Sequence, residues 1–381
     1  MNTKASILVL AGLMVVGVAV QSRSRRLEKA PGPQETEPVS AKSMPRPRLP
    51  APRMIANAGP VEAPVENVPP TNAFARLFNA DGELPKLSHE QLESYLTQNR
   101  RGAGSLVAAF RLAEDRSLLQ EAAEKHPEDP QVNFAGWTTA QMKKDASPEE
   151  RRQWLDAFKQ SAPDNALANY LSAQDYFKSS QTDRAVEELV VAAGKSKFQD
   201  YSADYVQNVE EAYLAAGCSA AEAKAAAAYS VVLPQLAEMK RLSQSLSDLS
   251  ALYRQAGDES SAQAIVQMGL DLGRRLEESS GGSLTTQDLV GLAIQRNLLK
   301  GLDPSALFGD SGLTVQNQLD AVTQRVEGLK RLWKEAEPIL RNMPDQELIC
   351  YFDRMNTFGE TEALRWVMNR QGNVDSLEPK P

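Results

Sequence analysis

Apolar residues along most of this chain recur at intervals of three and four, and that spacing selects one kind of secondary structure. The clearest run is Leu242, Leu246, Leu249, Tyr253 and Ala256, at steps of 4, 3, 4 and 3. Such positions share one face of an α-helix, whereas a half-buried strand needs alternation at every second residue. No sustained alternation of that kind occurs between residues 72 and 372. Alanine-rich stretches such as 220–228 are strong helix formers. Start signals agree: Ser88 with Gln91 spells a capping box, Ser147 stands before Pro148 as a cap before a first-turn proline, and Pro344 opens another segment. Stops are expected at Gly217, Gly257, Gly281-Gly282 and Gly359. The body is therefore expected to be all-α.

Two segments ahead of the body differ in kind. Residues 31–70 hold 11 of the chain's 22 prolines. Proline fixes φ and lacks an amide donor, so neither helix nor sheet runs through them. A disordered linker is expected over 31–71, reaching about 120 Å when fully stretched. It serves as a spacer or, around Met44 to Pro52, as a proline-rich ligand. Before it, Ala5 to Val20 is a run of 16 residues without a charge. As a helix it spans about 24 Å, between the length of a cleaved signal and that of a full membrane span. Gly17-Val18-Ala19 offers a cleavage site, but Arg23, Arg25, Arg26 and Lys29 follow at once, which favours an uncleaved anchor within residues 1–30. Basic residues flank the run on both sides, so the positive-inside rule leaves orientation open. A body outside the cytoplasm is expected from the position of the run, a cytoplasmic or secreted body being the alternatives.

Charge divides along the same lines. The whole chain has 42 Lys+Arg against 50 Asp+Glu, net −8. Residues 1–53 carry nine basic and three acidic side chains, net +6, and the remaining 328 carry 33 basic and 47 acidic, net −14. An acidic body lacks the basic footprint of a nucleic-acid binder, so nucleic acid is not an expected partner. A basic stretch next to an apolar segment suits anionic lipid, with the membrane engaged through residues 5–20.

Helical chains of this size are bundles or repeat arrays, and two segments share a pattern. One begins at Pro163 and contains Ala173, Tyr176, Ser180 and Ala185; the other runs from Leu246 and contains Ser250, Tyr253, Gly257 and Ala262. Both sets have steps of 3, 4 and 5. Both resemble the tetratricopeptide repeat, a pair of antiparallel helices of 34 residues. The resemblance implies that Ala173, Ala185 and Ala262 let backbones approach, that Tyr176 and Tyr253 fill the space between helices, and that Gly257 makes the turn. Pro130 and Pro163, 33 residues apart, mark a weaker copy, and a half-copy ends near Pro127. The two clear copies are 77 residues apart, which leaves an insertion of about nine residues, expected in the long helix around Pro234. The resemblance thus implies a tetratricopeptide-like α-solenoid over 72–280; a solenoid needs its end covered, a role expected of a helical cap over 281–372, and a disordered tail is expected over 373–381. In that family the first helices of the pairs line a concave groove for a peptide or partner helix. Carried over, the groove residues are Tyr170, Gln174, Phe177 and Lys178, then Ser247, Asp248, Ala251 and Arg254, although Tyr170 and Phe177 also fit plain packing.

Catalytic material is sparse. His89 and His126 are 37 residues apart, and nothing in the sequence pairs either with a nucleophile. Cys218 and Cys350 are expected as buried free thiols, a bridge being the alternative. Asn79 to Glu83 fits a calcium loop at too few positions, and no cofactor or metal motif is present. Carboxylate pairs Glu187-Glu188 and Glu210-Glu211 are the only basis for a hydrolase. The expected function is a membrane-tethered adaptor, not an enzyme, that binds an unidentified protein or peptide. The alternative is a structural subunit of an envelope or secretion assembly.

Overall fold

The structure is a computed structural model. It describes residues 72, 73, 76 and 84–374 apart from 144, 279–283, 310 and 311, with side chains to residue 370. The segments 1–30 and 31–71, the loop Asn79 to Glu83, Gly281-Gly282 and the end of the tail lie outside the described residues. The described residues all fall within one compact unit, Pro70–Pro381.

All regular structure among the described residues is helical: α1 His89–Gln98, α2 Ala103–Ala113, α3 Arg116–Lys125, α4 Pro130–Met142, α5 Pro148–Ser161, α6 Ala166–Lys178, α7 Thr182–Ala193, α8 Ser202–Ala215, α9 Ala220–Tyr229, α10 Pro234–Gln255, α11 Glu259–Glu277, α12 Thr285–Leu299, α13 Val315–Asn342, α14 Asp345–Phe358 and α15 Glu360–Val374. Local sequence chemistry sets the ends. Ser88 accepts from the Gln91 amide while Gln91 reaches back to the Ser88 amide, and Ser147 caps α5 with Pro148 in its first turn. Gly217, Gly257 and Gly359 end their helices at φ of 91°, 78° and 89°, a region glycine enters without steric cost.

The helices pair in sequence at first: α2 with α3, α4 with α5, α6 with α7. The chain then doubles back. α8 packs on α1 and α2, α10 packs on α4 and α6, and α11 packs on α10 and α7. α12 lies against α10 and α11, α13 against α12, α14 against α9, and α15 against α13 and α14. An open stack of repeats touches only its neighbours; here the second half of the chain covers the first.

The reason is legible in α4 and α6. Every residue from Ala166 to Gln174 is buried, as is every residue from Val132 to Thr138. A helix buried all round needs partners on all sides. By contrast α7 buries only Ala185, Leu189 and Ala192. Small side chains let the inner helices approach: Gly104 of α2 faces Asn208 of α8, where an added Cβ would lie 2.6 Å from the Asn208 amide nitrogen. The expected seam at residues 280 and 281 lies between α11 and α12, which pack closely through Gly273 and Gly291.

The first described residue helps close the body. Asn72 donates from Nδ2 to the carbonyls of Leu340, Arg341 and Met343 at 3.1, 2.8 and 2.9 Å, satisfying the open end of α13. Arg76 pairs with Asp345 at 2.6 Å. Arg101 grips Glu121 through Nε and Nη2 at 2.6 and 2.5 Å and also meets Glu93 at 2.7 Å, linking α1 to α3.

Arg101, with Lys125, pulls the Glu121 carboxyl down to about 2 from 4.5. A depressed folded pKa contributes stability that is full above the unfolded value and is lost as pH falls. The stability curve should therefore fall between about pH 4.5 and pH 2 with a component that Glu121→Gln removes. Urea midpoints for both proteins across that range test this; parallel pH profiles would refute it.

Candidate binding surfaces

The residues expected at the helix contacts lie on α6, α7, α10 and α11 and in the turns between them. Ala173, Ala185 and Ala262 are buried completely. Ser250 donates from Oγ to the Ala262 carbonyl at 3.2 Å, so α10 and α11 approach closely there. Tyr176 is half-buried, with the Arg152 and Arg184 guanidinium carbons 4.4 and 5.8 Å from its ring centre. Tyr253 is half-buried on the same core. The turns match: Ser180 has φ 59° and Gly257 78°, and the following amides of Gln181 and Asp258 donate to the Tyr176 and Tyr253 carbonyls, both at 2.9 Å. The same turn recurs at Gly217, where the Cys218 amide donates to the Tyr213 carbonyl at 3.1 Å. Sequence spacing missed this pair, α8 and α9, because Glu222 stands where the small residue is expected. It occupies much of the 77-residue interval, so the extra length is shared by the link before α8 and by the 22 residues of α10.

The expected groove residues are divided. Tyr170 is 1% exposed and Gln174 5%, both inside the body. Tyr170 stacks at a tilt on Phe198, ring centres 6.1 Å apart, and burial pushes its hydroxyl up to about 12. Phe177 packs on the core, and Lys178 pairs at 2.8 Å with the buried Glu238 of α10. Tyr170 and Gln174 are therefore covered by the chain itself and not presented to a ligand, whereas Phe177 is half-buried and Lys178 is exposed beside its Glu238 partner. The other half lies at or near the surface. Asp248 and Ala251 are exposed on α10, Ser247 is half-buried, and Arg254 donates from Nη1 to the Gly301 carbonyl at 2.8 Å.

The remaining sequence candidates have structural partners or none of note. His126 Nε2 lies 3.1 Å from the Arg101 carbonyl, and His89 is exposed. Glu188 pairs with Lys159, and Glu210 with Lys224 at 2.8 Å. Cys218 and Cys350 are free thiols; Cys218 is half-buried and Cys350 exposed, which corrects the expectation that both are buried. No cluster of His, Cys, Asp and Glu able to hold a metal occurs among the described residues. No helix among them is long and apolar enough to cross a membrane.

A surface of different character lies where the chain ends its course. Helix α13 buries Val322 and, four turns on, Ala336 and Leu340, but Val326 and Leu329 between them are only half-buried. Its middle stands off from α12 and α15 and leaves a cleft of about 590 Å³. Glu277 of α11 and Asp288 of α12 form the floor, Arg325, Leu329, Leu332 and Glu335 one wall, Thr361 and Arg365 the other. Phe358 stands at the mouth, 63% exposed. Gly359 sets this up: φ 89° and ψ 159° is a conformation that is essentially glycine's alone, and it ends α14 with Phe358 outward and begins α15 with Glu360 inward.

The floor is acidic and largely buried. Glu277 meets Arg325 and Gln295. Burial nonetheless holds its carboxyl above the usual range, and the charge of Asp288 adds to the rise. Asp288 accepts from Thr361 Oγ1 at 2.9 Å. Behind it Glu360 accepts from the Thr285 amide at 2.8 Å and is also raised by burial. The cleft residues come from five helices spread over positions 277 to 365, so no local motif announces them.

No protein-family model, no curated protein and no solved structure matches this chain.

Proposed function

We propose that the protein is a membrane-tethered adaptor that binds another protein or a peptide and catalyses no reaction. Helices α4–α7 and α10–α11 act as tetratricopeptide-like pairs, α13 to α15 as the cap, and residues 5–20 as the anchor of a body held outside the cytoplasm. The observation that carries the proposal is the cleft beside α13, which is wide enough for several side chains, walled by rigid helices and edged by an exposed Phe358. It takes over the role first expected of Tyr170, Gln174, Phe177 and Lys178. A second reading, a permanent subunit of an envelope assembly, is favoured by Val190 and Val191, side by side and half exposed on α7.

A photoreactive side chain placed at Phe358 or Arg331 should form adducts with a discrete partner in living cells, and one placed at the exposed Gln263 of α11 should not. Adducts of equal yield at all three positions, or none at the first two, would remove the cleft from the function. Adducts only between copies of this chain would favour the permanent subunit.

A further inference from the structure

We infer that the hairpin of α14 and α15 is a pH-responsive latch: it docks most firmly in acid, with Glu360 buried as the neutral acid, and loosens as the pH rises. The inference does not depend on what the cleft binds.

Glu360 is the first residue of α15 and is turned inward at Gly359. It is 5% exposed. Its Oε2 accepts from the amide of Thr285, the first residue of α12, 75 positions earlier in the chain. Other carboxylates buried between helices have cations: Glu238 meets Lys178 and Arg241, and Glu277 meets Arg325. Glu360 forms no ion pair among the described residues. The elements around it bring no cation to it. From α12 comes Asp288, a second acid, which accepts from Thr361 of α15 at 2.9 Å. From α14 comes Tyr351 and from α9 Tyr229, buried phenols whose ionisation the Glu360 charge opposes. From α13, Arg341 acts on Tyr229 and is paired with Glu337 at 2.8 Å. On α15 itself Glu362 and Arg365 pair at the surface.

An ionised carboxyl in this place has given up water and gained a like charge as neighbour. Burial raises the Glu360 carboxyl, the Asp288 charge adds to the rise, and the bond from the Thr285 amide offsets only part of it. A raised folded pKa gives stability that is complete below the unfolded value of 4.5 and is lost as pH climbs through the folded one. The loss falls on the hairpin, because the hairpin carries Glu360 into the body. As the last helices of the chain, α14 and α15 lift without unfolding those before them. Buried Leu348, Phe352 and Leu364 and the Lys224–Asp353 pair at 2.6 Å keep the hairpin docked at neutral pH, so ionisation loosens it and does not expel it. The hairpin brings Phe358, Thr361 and Arg365 to the cleft, so the same loosening reshapes the cleft.

Hydrogen exchange of the full chain in detergent, followed by mass spectrometry and corrected for the intrinsic exchange rate, tests this. Opening of residues 345–370 should rise with pH from about 4.5, by at most about tenfold per pH unit because one proton is linked, and then level off. Opening of α6 and α10 should not follow it. Glu360→Gln keeps an acceptor for the Thr285 amide and carries no charge, so it should hold the hairpin at its low-pH protection throughout. Asp288→Asn removes the charge beside Glu360 and should make the rise level off at a lower pH than in the wild type. A flat profile in the wild type, an unchanged rise in Glu360→Gln, or an equal rise in every helix would overturn the inference. So would an unshifted plateau in Asp288→Asn, the variant that decides the matter if Glu360→Gln does not fold.

Discussion

Replacing Asp200 by alanine should cost the fold about 2–6 kcal/mol, because two buried amides lose their acceptor at about 1–3 kcal/mol each. Asp200 lies at the point where the chain leaves α7 and turns back over its first half. Its Oδ2 accepts from Gln235 Nε2 of α10 at 2.7 Å and from Gln287 Nε2 of α12 at 2.9 Å. Its Oδ1 accepts from the Ser202 amide and hydroxyl at 3.1 and 2.7 Å, which starts α8. Gln235 and Gln287 are each 2% exposed, so water does not replace the lost partner. One carboxylate thus ties three helices whose sequence positions are far apart. Asp200→Asn keeps one acceptor oxygen but turns a donor toward the glutamines, so it should fall between wild type and Asp200→Ala. Urea unfolding followed by circular dichroism measures both. A loss under about 1 kcal/mol for the alanine variant, the scale of an ordinary substitution, would show that the turn-back does not depend on this knot.

Gly291→Ala should be destabilising by about 2–3 kcal/mol although alanine is the better helix former. An added Cβ on Gly291 would lie 2.5 Å from the Gly273 carbonyl oxygen and 2.9 Å from Glu277 Cγ. The nearer obstacle is backbone, so α11 and α12 must separate. Gly328 on α13 supplies the opposite case, since an added Cβ there meets nothing within 4 Å. Gly328→Ala should stabilise by about 0.5–1 kcal/mol through helix propensity alone. The pair of variants separates close packing from local preference in one denaturation experiment. If both shift the midpoint in the same direction, the tight α11–α12 contact is wrong.

The two sites show why some of this molecule is legible in its sequence and some is not. Helix content, the caps at Ser88 and Ser147, and the turns at Gly217, Gly257 and Gly359 depend on contacts between residues a few positions apart. The Tyr176–Ser180 and Tyr253–Gly257 turns belong to the same class, with equal spacing, a positive φ and the same amide-to-carbonyl bond. Within the groove set Tyr170, Gln174, Phe177 and Lys178, the first two went astray for a different reason. Its open face assumed that successive pairs stack outward, whereas α10 returns to lie on α6 and its Glu238 meets Lys178. The run of small and apolar residues from Ala166 to Ala173 carries a trace of that outcome, since a helix without a polar face has nowhere to meet water.

Residue order alone makes the body helical, sets where most helices start and stop, and lays apolar, proline-rich and acidic stretches one after another along the chain. Local hydrogen bonding and backbone sterics suffice for that. Only the tertiary structure decided that the first half is covered by the second, that Asp200 joins α8, α10 and α12, and that Glu277, Asp288, Leu329 and Phe358 share one cleft. Those outcomes turn on which buried faces find each other across long stretches of chain, and helical periodicity gives each face a direction but not a partner.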